Sequence, residues 1–425
     1  MTTGTGSPVW HPFTQHGLQP EMLPIASAEG AWLVMSDGRR ILDGIASWWV
    51  VTHGHCHPRI VRAIEDQARR LDQVIFAGFT HEPAETLARG LIDVAPAGLA
   101  HVFFSDSGST SVEVALKMAL GYWRNIGEQR QRIVALEHGY HGDTVGGMSV
   151  GARGVFSAAY EPLLFDVVRI PFPAAGREQA TIDAFDAACA AAPVAALILE
   201  PLILGAGGML IYETSVLREL KRVAAAHGAL LIADEVMTGW GRTGKLFACD
   251  KAGVSPDILC LAKGITGGSL PLAATLCTSP IFEAHRSTDR AKTFFHSSSY
   301  TANPIACAAA VANLEVWWSE PVAERIAMLA AAHTERLAPF RADARFANVR
   351  QLGAIAALDL EVPETGYLAS VGPRLMQLFI DRGVLLRPLG NTIYVMPPYC
   401  ITPAELDLVY SAIAAAPDAL AREAP

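Results

Sequence analysis

The sequence predicts an α/β protein with a mostly parallel sheet in a large domain and a smaller α+β domain. From about residue 100, short β-branched or aromatic runs alternate with longer Ala- and Leu-rich helical patterns, as expected when helices connect parallel strands. Several runs, such as Ala195–Leu199, are continuously apolar, which indicates strands covered by helices on both faces. The chain has 425 residues, of which 51% are hydrophobic, so it can form about two or three domains with a large core.

The predicted elements follow the chain in order. In the first fifty residues we expect strands near Trp32 and Ile41. The next predicted elements alternate in type, because apolar or aromatic runs of about five residues are separated by helical patterns; they are the strands His101–Ser105, Arg132–Leu136, Ala195–Leu199, Ala229–Ala233, Ile258–Leu261 and Leu272–Cys277, and the helices Thr110–Asn125, Thr214–His227 and Pro304–Trp318. In the last hundred residues two helices are expected beside short strands, at about Val322–Leu337, Ser370–Arg382, Ala354–Leu358 and Ile393–Met396. These patterns predict an N-terminal segment (1–50) beside the small domain, a large domain (51–310) and a C-terminal small domain (311–425).

The composition excludes several classes of partner. The formal charge is −9, with no basic block, so nucleic acid and anionic membranes are not expected as partners. The longest apolar candidate, Ala187–Leu199, is interrupted by Pro193 and is shorter than the roughly 18 residues of a membrane span. The first twenty residues contain no Lys or Arg and no apolar core, so we expect no signal peptide. Seven scattered cysteines fit reduced thiols in a cytoplasmic protein.

A small-residue motif follows the first strand of the large domain. After His101–Ser105 the chain reads Asp106-Ser107-Gly108-Ser109-Thr110 and then enters a helix. Free amide groups and the positive end of the helix dipole at such a start suit a phosphate. The same pattern also fits an ordinary helix start with Ser109 or Thr110 as the N-cap.

An acidic residue ends another apolar strand. Asp234 follows Ala229–Ala233, and burying an unpaired carboxylate there would cost several kcal/mol. Pyridoxal phosphate requires such a group, because an anion keeps its pyridine nitrogen protonated. The alternative is that Asp234 only caps the following turn.

A lysine ends the next strand, and two glycines follow it closely. Lys263 comes after Ile258–Leu261, where loss of hydration would lower the pKa of its amine and make it a better nucleophile. A lysine that only extends from a strand end into water is the alternative. The three features together are more specific: the helix start can bind a phosphate, Asp234 can pair with a ring nitrogen, and the amine of Lys263 can form a Schiff base. Tyr140 adds an aromatic face that could stack on the ring.

These motifs resemble one enzyme family over nearly the whole chain. The stretches Asp106–Ser109, His138–Gly142, Leu231–Val236, Gly239–Gly244 and Ala262–Gly264 are similar to those of the class-III pyridoxal-phosphate aminotransferases. The resemblance implies a fold-type I pyridoxal-phosphate enzyme that catalyses a two-stage transamination. A non-catalytic binding protein, an aminomutase or a decarboxylase on the same fold are the alternatives, and the presence of both Lys263 and Asp234 argues against the first.

The resemblance also implies a role for each matching position. Lys263 would bind the cofactor covalently and move the proton, Asp234 would pair with the pyridine nitrogen, and Tyr140 would stack on the ring; these three are the expected catalytic residues. The other implied cofactor contacts are Val236 on the second ring face, Gly108 and Ser109 at the phosphate, Glu200 nearby, and Ser298 and Ser299 from the partner subunit of a homodimer. The implied substrate contacts are Phe13, Trp48, Trp49, Asp143, Arg242 and Arg387, the last of which would hold a substrate carboxylate.

Narrower motifs point to particular substrates within this family. Trp10–Thr14, Ala46–Val50 and Arg387-Pro388 before Tyr394–Tyr399 resemble members that use S-adenosylmethionine as amino donor and a fatty amino-oxo acid as acceptor. Phe13 departs from the better-known members, which carry Tyr there, so one hydroxyl is missing and lysine is an alternative donor. Ser297-Ser298-Ser299 replaces the Gly-Pro-Thr of some members, a mild change because a serine hydroxyl can still bind phosphate.

Two further motifs are similar to a nucleotide-binding P-loop and to a zinc site, but we interpret neither of them in that way. Gly239–Lys245 fits a P-loop spacing, but Leu246 stands where Mg²⁺ binding needs Ser or Thr. Arg242 in that loop is expected to pair with a carboxylate near the active site. His53-Gly54-His55-Cys56-His57 lacks the second ligand pair of a structural zinc site, so we interpret it as a loop and expect no metal.

Overall fold

A computed structural model describes residues 7–19 and 21–422. Its α-helices are α1 (Ala46–Trp49), α2 (Pro58–Arg70), α3 (Glu82–Val94), α4 (Gly108–Asn125), α5 (Val145–Val150), α6 (Glu178–Ala191), α7 (Thr214–Ala226), α8 (Ala248–Ala252), α9 (Ser279–His285), α10 (Pro304–Ser319), α11 (Val322–Arg341), α12 (Val371–Asp381) and α13 (Pro403–Arg422). Its strands are β1 (Ile25–Glu29), β2 (Trp32–Met35), β3 (Arg40–Asp43), β4 (Leu99–Ser105), β5 (Arg132–Leu136), β6 (Val168–Ile170), β7 (Val194–Leu199), β8 (Ile203–Leu204), β9 (Leu210–Ile211), β10 (Leu230–Asp234), β11 (Ile258–Leu261), β12 (Ala273–Thr278), β13 (Phe346–Leu352), β14 (Ile355–Leu360), β15 (Val384–Leu385) and β16 (Thr392–Val395). Short 3₁₀ turns cover Ala158–Leu163, Lys263–Thr266 and Arg290–Lys292.

The centre of the molecule is a seven-stranded sheet in the order β4-β12-β11-β10-β7-β5-β6. The pairs from β11 to β6 are all parallel, whereas β12 runs antiparallel to both β11 and β4. Every residue of β7, β10 and β11 is buried, because helices cover both faces of the sheet. The expected α/β fold with a mostly parallel sheet is therefore confirmed.

Most expected elements appear with ends shifted by one or a few residues. Arg132–Leu136 and Ile258–Leu261 have the predicted bounds, and the strand expected at Ala229–Ala233 is shifted by one residue, to Leu230–Asp234. One local prediction is wrong: the N-cap of α4 is Ser107, not Ser109 or Thr110. Ser107 accepts the amide of Thr110 through its hydroxyl, and the hydroxyl of Thr110 accepts the amide of Ser107, so the two residues form a capping box.

Smaller sheets connect the ends of the chain. β15, near the C-terminus, pairs in parallel with β3, which belongs to the four-stranded sheet β1-β2-β3-β15. β13, β14 and β16 form a separate antiparallel sheet. The shared sheet supports the predicted packing of the N-terminal segment beside the small domain; the three-part division itself stays a prediction.

The parallel direction of the strands brings several loops to one edge. The carboxyl ends of β4, β5, β7, β10 and β11 lead into the segments that contain Gly108, Tyr140, Glu200, Asp234 and Lys263. In open α/β sheets this edge is where ligands bind. Within residues 7–19 and 21–422, no helix is both long enough and apolar enough to cross a bilayer.

Candidate active site

One cavity of about 620 Å³ opens at the carboxyl edge of the central sheet. It brings together twelve of the predicted site residues from segments far apart in the chain: Phe13, Trp48, Trp49, Gly108, Ser109, Tyr140, Asp143, Glu200, Asp234, Val236, Lys263 and Arg387. Its size suits a small-molecule ligand of some tens of atoms.

The first turn of α4 lies at one part of the cavity wall. Ser107 caps the helix, so the amides of Gly108 and Ser109 follow the cap without intrahelical partners. A Cβ on Gly108 would lie 2.6 Å from Cγ1 of Val236, which means that only glycine lets the helix start approach the valine this closely. Ser109 Oγ accepts the amide of Asp143 at 3.2 Å. The turn can therefore present amide donors to an anion.

Asp234 is buried at the end of β10 and makes two hydrogen bonds. Its Oδ1 accepts the amide of Val236 at 3.1 Å, and its Oδ2 lies 2.7 Å from Nδ1 of His141. Burial of His141 disfavours its charged form, but the hydrogen bond and the nearby carboxylates of Asp234 and Glu200 outweigh burial and raise the pKa of the imidazole above its ordinary value. His141 thus holds one oxygen of Asp234 and places a proton beside it.

Two further glutamates at the strand ends are buried: Glu200 directly follows β7, and Glu235 directly follows Asp234. Glu200 accepts the amides of Tyr140 and Gly205, both at 2.9 Å, and burial raises its pKa to about 7. Glu235 is not part of the cavity lining; it accepts the amides of Ala248 and Cys249, and burial raises its pKa to about 7 as well. Glu200 is therefore part of the site, whereas Glu235 ties the strand end to α8.

Lys263 follows β11 and extends along the aromatic wall. Its Nζ lies 4.6 Å from the ring centroid of Trp49, whose indole nitrogen donates to the hydroxyl of Tyr394 at 3.0 Å. Loss of hydration lowers the pKa of Lys263 to about 8, although the carboxylates of Asp234 and Glu200 act in the opposite direction. The amine is still mostly protonated at pH 7, but its unprotonated fraction is much larger than that of an ordinary lysine, which favours a role as nucleophile or general base.

Aromatic rings from separate segments form another part of the wall. The ring of Phe13 contacts Trp48 and Phe156 edge-to-face, with centroids 5.5 and 5.8 Å apart. The guanidinium of Arg387 lies 5.1 Å from the ring centroid of Trp48 and donates to the backbone carbonyl of Phe13 at 3.3 Å. The result is a cation beside apolar rings, an arrangement that suits a ligand with a carboxylate and an apolar chain.

Arg242 does not occupy the predicted position. It is buried and its guanidinium donates to the backbone carbonyls of Pro397, Val51 and Trp49, at 3.0, 2.9 and 3.4 Å. The expected carboxylate partner is replaced by these carbonyls, because the loop packs against two chain segments that lie far away in sequence. Arg242 therefore supports the backbone beside Trp49 and does not line the cavity.

The predicted phosphate contacts Ser298 and Ser299 also lie outside the cavity lining. Ser298 donates its hydroxyl to the carboxylate of Asp106 at 2.5 Å, just before the α4 turn of the same chain. The prediction concerned the site of a partner subunit, so it stays a prediction.

Sequence reasoning missed several residues of the cavity lining, among them His141, Phe156 and Tyr367. His141 lies within the quoted motif His138–Gly142, and its position next to Tyr140 was the available signal. Phe156 and Tyr367 contact each other with centroids 4.6 Å apart and line the cavity, but both lie in irregular segments without a pattern to mark them.

The fold and the cavity are those of an α/β enzyme with a lysine amine and a buried carboxylate at adjacent strand ends. Residues 13–416 match the family model described as Aminotransferase class-III, and the chain belongs to this family. It is 50% identical to the adenosylmethionine-8-amino-7-oxononanoate aminotransferase of Synechococcus elongatus, over 96% of this chain and 97% of that protein. The enzyme of the same name from Mycobacterium leprae is 40% identical, over 95% and 94%.

Solved structures agree with this assignment. The crystal structure of adenosylmethionine-8-amino-7-oxononanoate aminotransferase from Methanocaldococcus jannaschii superposes with a TM-score of 0.90 at 34% identity, covering 96% of both chains. An amine transaminase from an uncultivated Pseudomonas species, in its PLP-bound form, also gives 0.90 at 35% identity, covering 96% of this chain and 98% of that one.

Proposed function

We propose that this chain is a pyridoxal-phosphate-dependent aminotransferase of biotin biosynthesis. It would move the amino group of S-adenosylmethionine onto 8-amino-7-oxononanoate and so form 7,8-diaminononanoate. The observation that carries the proposal is a single cavity that holds Lys263, Asp234 and Arg387 beside Trp48 and Trp49. Relatives named for this reaction align with nearly the full chain at up to 50% identity, which supports the same substrates.

The residues of the cavity fit pyridoxal phosphate. The α4 turn offers amides to a phosphate, and Gly108 leaves open the space that a side chain would fill against Val236. Asp234 is a buried carboxylate with its orientation fixed by His141, as a protonated pyridine nitrogen needs. Lys263 has an amine with a lowered pKa in the same cavity.

Each residue would contribute a separate part of the chemistry. When bound, pyridoxal phosphate supplies a ring that accepts electrons from the reacting carbon of the amino donor. Lys263 Nζ would take the proton from that carbon as general base. It would then deliver the proton, as general acid, to a carbon of the cofactor. Asp234 would hold the proton on the pyridine nitrogen, and Tyr140 and Val236 would hold the two ring faces. Gly108 and Ser109 would bind the phosphate, with Glu200 nearby.

The substrate side of the cavity would serve two molecules in turn. Arg387 can bind the carboxylate of each, because its guanidinium lies at the cavity wall beside Trp48. Phe13, Trp48 and Trp49 offer apolar faces to a fatty chain and attract a sulfonium through their rings. Asp143, close to Tyr140, also lines the cavity.

The decisive experiment is a half-reaction screen. S-adenosylmethionine added to the pyridoxal-phosphate-loaded protein should abolish the visible absorption of the cofactor, and 8-amino-7-oxononanoate should restore it with formation of the diamine. If lysine abolishes the absorption and S-adenosylmethionine does not, lysine is the donor, an alternative favoured by the missing hydroxyl at Phe13. If a donor reacts but 8-amino-7-oxononanoate does not restore the absorption, the chain is another class-III ω-aminotransferase.

The active unit would be a homodimer with shared sites. Four apolar side chains from two adjacent loops are between 61% and 70% exposed: Ile75, Phe79, Phe295 and Tyr300. The loops are joined by a hydrogen bond of 2.6 Å from Gln73 to the carbonyl of Ser299. A second copy that covers this surface would bring Ser298 and Ser299 towards the phosphate site of its partner.

A subunit-mixing experiment tests the shared site. Lys263→Ala and the double variant S298A/S299A should each be impaired alone. A hybrid dimer of the two contains one site with an intact lysine and intact partner serines, so mixing should restore activity and cofactor affinity at that site. A monomer in sedimentation, or no gain on mixing, would refute shared sites.

The remaining expectations are the compartment and the domain division. We place the chain in the cytoplasm, where reduced cysteines are normal; five of the seven cysteines are buried free thiols, Cys400 is partly buried and Cys56 is exposed. Cell fractionation tests the location. Limited proteolysis near residues 50 and 310 tests the division into 1–50, 51–310 and 311–425.

A further inference from the structure

A chain of buried hydrogen bonds connects the histidine motif after α1 with the turn that contains Lys263. Nε2 of His53 lies 2.9 Å from Oδ1 of Asn313 in α10. Nδ2 of Asn313 donates to the carbonyls of Gly264 and Ile265, each at 3.1 Å. Both side chains are buried, and neither is part of the cavity lining. The catalytic proposal therefore leaves them without a role.

The hydrogen bonds define the orientation of both side chains. Because two carbonyls accept from Asn313, its nitrogen must face the turn and its oxygen must face His53. His53 must then carry its proton on Nε2, and among the described residues Nδ1 has no hydrogen-bond partner. Burial lowers the pKa of His53 to about 4, so the ring stays neutral and keeps this tautomer at neutral pH.

The turn that receives these hydrogen bonds needs external support. Lys263 has a φ of +48°, a left-handed conformation that a residue with a side chain rarely adopts. The next residue has no room for a side chain, since a Cβ on Gly264 would lie 2.8 Å from Cβ of Trp240 and 2.9 Å from Cγ2 of Thr52. The backbone directly after the lysine is thus packed on one side and held by Asn313 on the other.

We propose that Asn313, oriented by His53, is a positioning residue that fixes the Lys263 turn and so aims the lysine amine at the cofactor. This inference rests on the proposed function, because it needs Lys263 to be the residue that binds pyridoxal phosphate. Asn313 acts on the backbone beside the lysine, so its loss should change the lysine–cofactor bond before it changes substrate binding.

Variants that keep the shape but change the donors test this role. Asn313→Asp lacks both N–H donors: an ionised carboxylate cannot donate to either carbonyl, and a protonated carboxyl can donate to only one. The pyridoxal phosphate concentration for half-saturation should therefore rise about tenfold or more, since the loss of each hydrogen bond of this kind weakens binding several-fold. The pH midpoint of the cofactor's visible absorption should shift, and kcat should fall while both KM values stay within about twofold. His53→Gln keeps an amide donor towards Asn313 and should behave almost as the unmodified protein, whereas His53→Leu should resemble Asn313→Asp in direction.

His333 supplies a matched control. It is also a buried histidine, but it lies in α11, where its Nδ1 is 2.7 Å from the hydroxyl of Tyr410 in α13. His333→Leu should lower the melting temperature without moving the pH midpoint of the cofactor's visible absorption. If His333→Leu moves this midpoint as much as His53→Leu does, the effect is general destabilisation and the positioning role is refuted.

Two outcomes separate this inference from the proposed function. Borohydride reduction of the unmodified protein with pyridoxal phosphate should label the peptide that contains Lys263; without this label the proposed function fails. With the label present, unchanged half-saturation and midpoint in Asn313→Asp overturn only the positioning role. If Asn313→Asp does not fold, the two His53 variants replace it in the test. Equal retention of pyridoxal phosphate in His53→Leu and His53→Gln would then overturn the positioning role.

Discussion

Nδ1 of His141 lies 2.7 Å from Oδ2 of Asp234, and both side chains are buried at the carboxyl edge of the central sheet. The other carboxylate oxygen of Asp234 accepts a single backbone amide, from Val236. His141 is therefore the principal side-chain partner of a carboxylate that would be costly to bury alone. The proposed pairing of Asp234 with the cofactor depends on this support.

Replacing His141 by Leu should strongly destabilise the protein. The variant leaves Asp234 without its side-chain partner, and breaking a buried pair of this kind costs about 3–5 kcal/mol. Urea unfolding measures the loss of unfolding free energy. His227 and Asp186 form a matched exposed pair at 2.8 Å, so His227→Leu should cost less than about 1 kcal/mol. Equal losses for the two variants would contradict a special role for the buried pair.

The unfolding free energy should fall with rising pH because of Glu200. Burial raises its pKa from 4.5 to about 7, so the folded state binds the proton more tightly than the unfolded state. The stabilisation is complete below pH 4.5 and is lost as the pH rises through about 7, a change of about 3 kcal/mol. Glu200→Gln should remove this contribution to the slope of unfolding free energy against pH, measured by urea unfolding between about pH 4.5 and 7.5.

Glu235 gives the matched comparison for that slope. Its pKa is also raised to about 7 by burial, so Glu235→Gln should reduce the slope by a similar amount. Only Glu200 lines the cavity, however, and only Glu200→Gln should also change the absorption of bound cofactor. A slope unchanged in both variants would contradict the raised pKa values.

The sequence predicts the parallel part of the sheet well because burial on both faces leaves a direct mark, a continuous apolar run. The largely apolar run Leu272–Cys277 predicts a strand but not the direction in which it runs. The antiparallel orientation of β12 therefore could not be predicted. The strand-end positions of Asp234 and Lys263 follow from the same runs. The partners of Arg242 could not be predicted, because its carbonyl acceptors lie 155 to 193 residues away in the chain. The hydrogen bond between His53 and Asn313 could not be predicted for the same reason, because 260 residues of the chain separate them.

Arg387→Ala should weaken the binding of substrates that carry a carboxylate. A hydrogen bond to a charged group contributes about 1.5–3 kcal/mol, so kcat/KM for such a donor should fall about 10- to 150-fold. Arg387→Lys should recover little, since an ammonium provides neither the planar fork nor the stacking against Trp48. Steady-state rates with a carboxylate donor and with a simple amine measure the difference, and the simple amine should be affected much less.

An exposed arginine controls for the loss of charge. Arg345 lies on the surface, where it pairs with Asp343 and Asp418. Arg345→Ala should leave both kcat/KM values unchanged. A parallel loss for carboxylate and simple-amine donors in Arg387→Ala would indicate damage to the cavity wall and would contradict a specific carboxylate contact.

Gly108 and Val236 should show energetic coupling. In Gly108→Ala the new Cβ would lie 2.6 Å from Cγ1 of Val236, so the helix start must move, at a cost of about 1–3 kcal/mol, and the amides at the proposed phosphate site move with it. Val236→Ala removes the obstructing methyl groups, so the double variant should regain stability relative to Gly108→Ala. Thermal unfolding and pyridoxal phosphate titration of the four proteins complete a double-mutant cycle. Additive losses would mean that the overlap does not fix the helix start; a positive coupling would show that the contact between glycine and valine sets the position of the anion-binding turn.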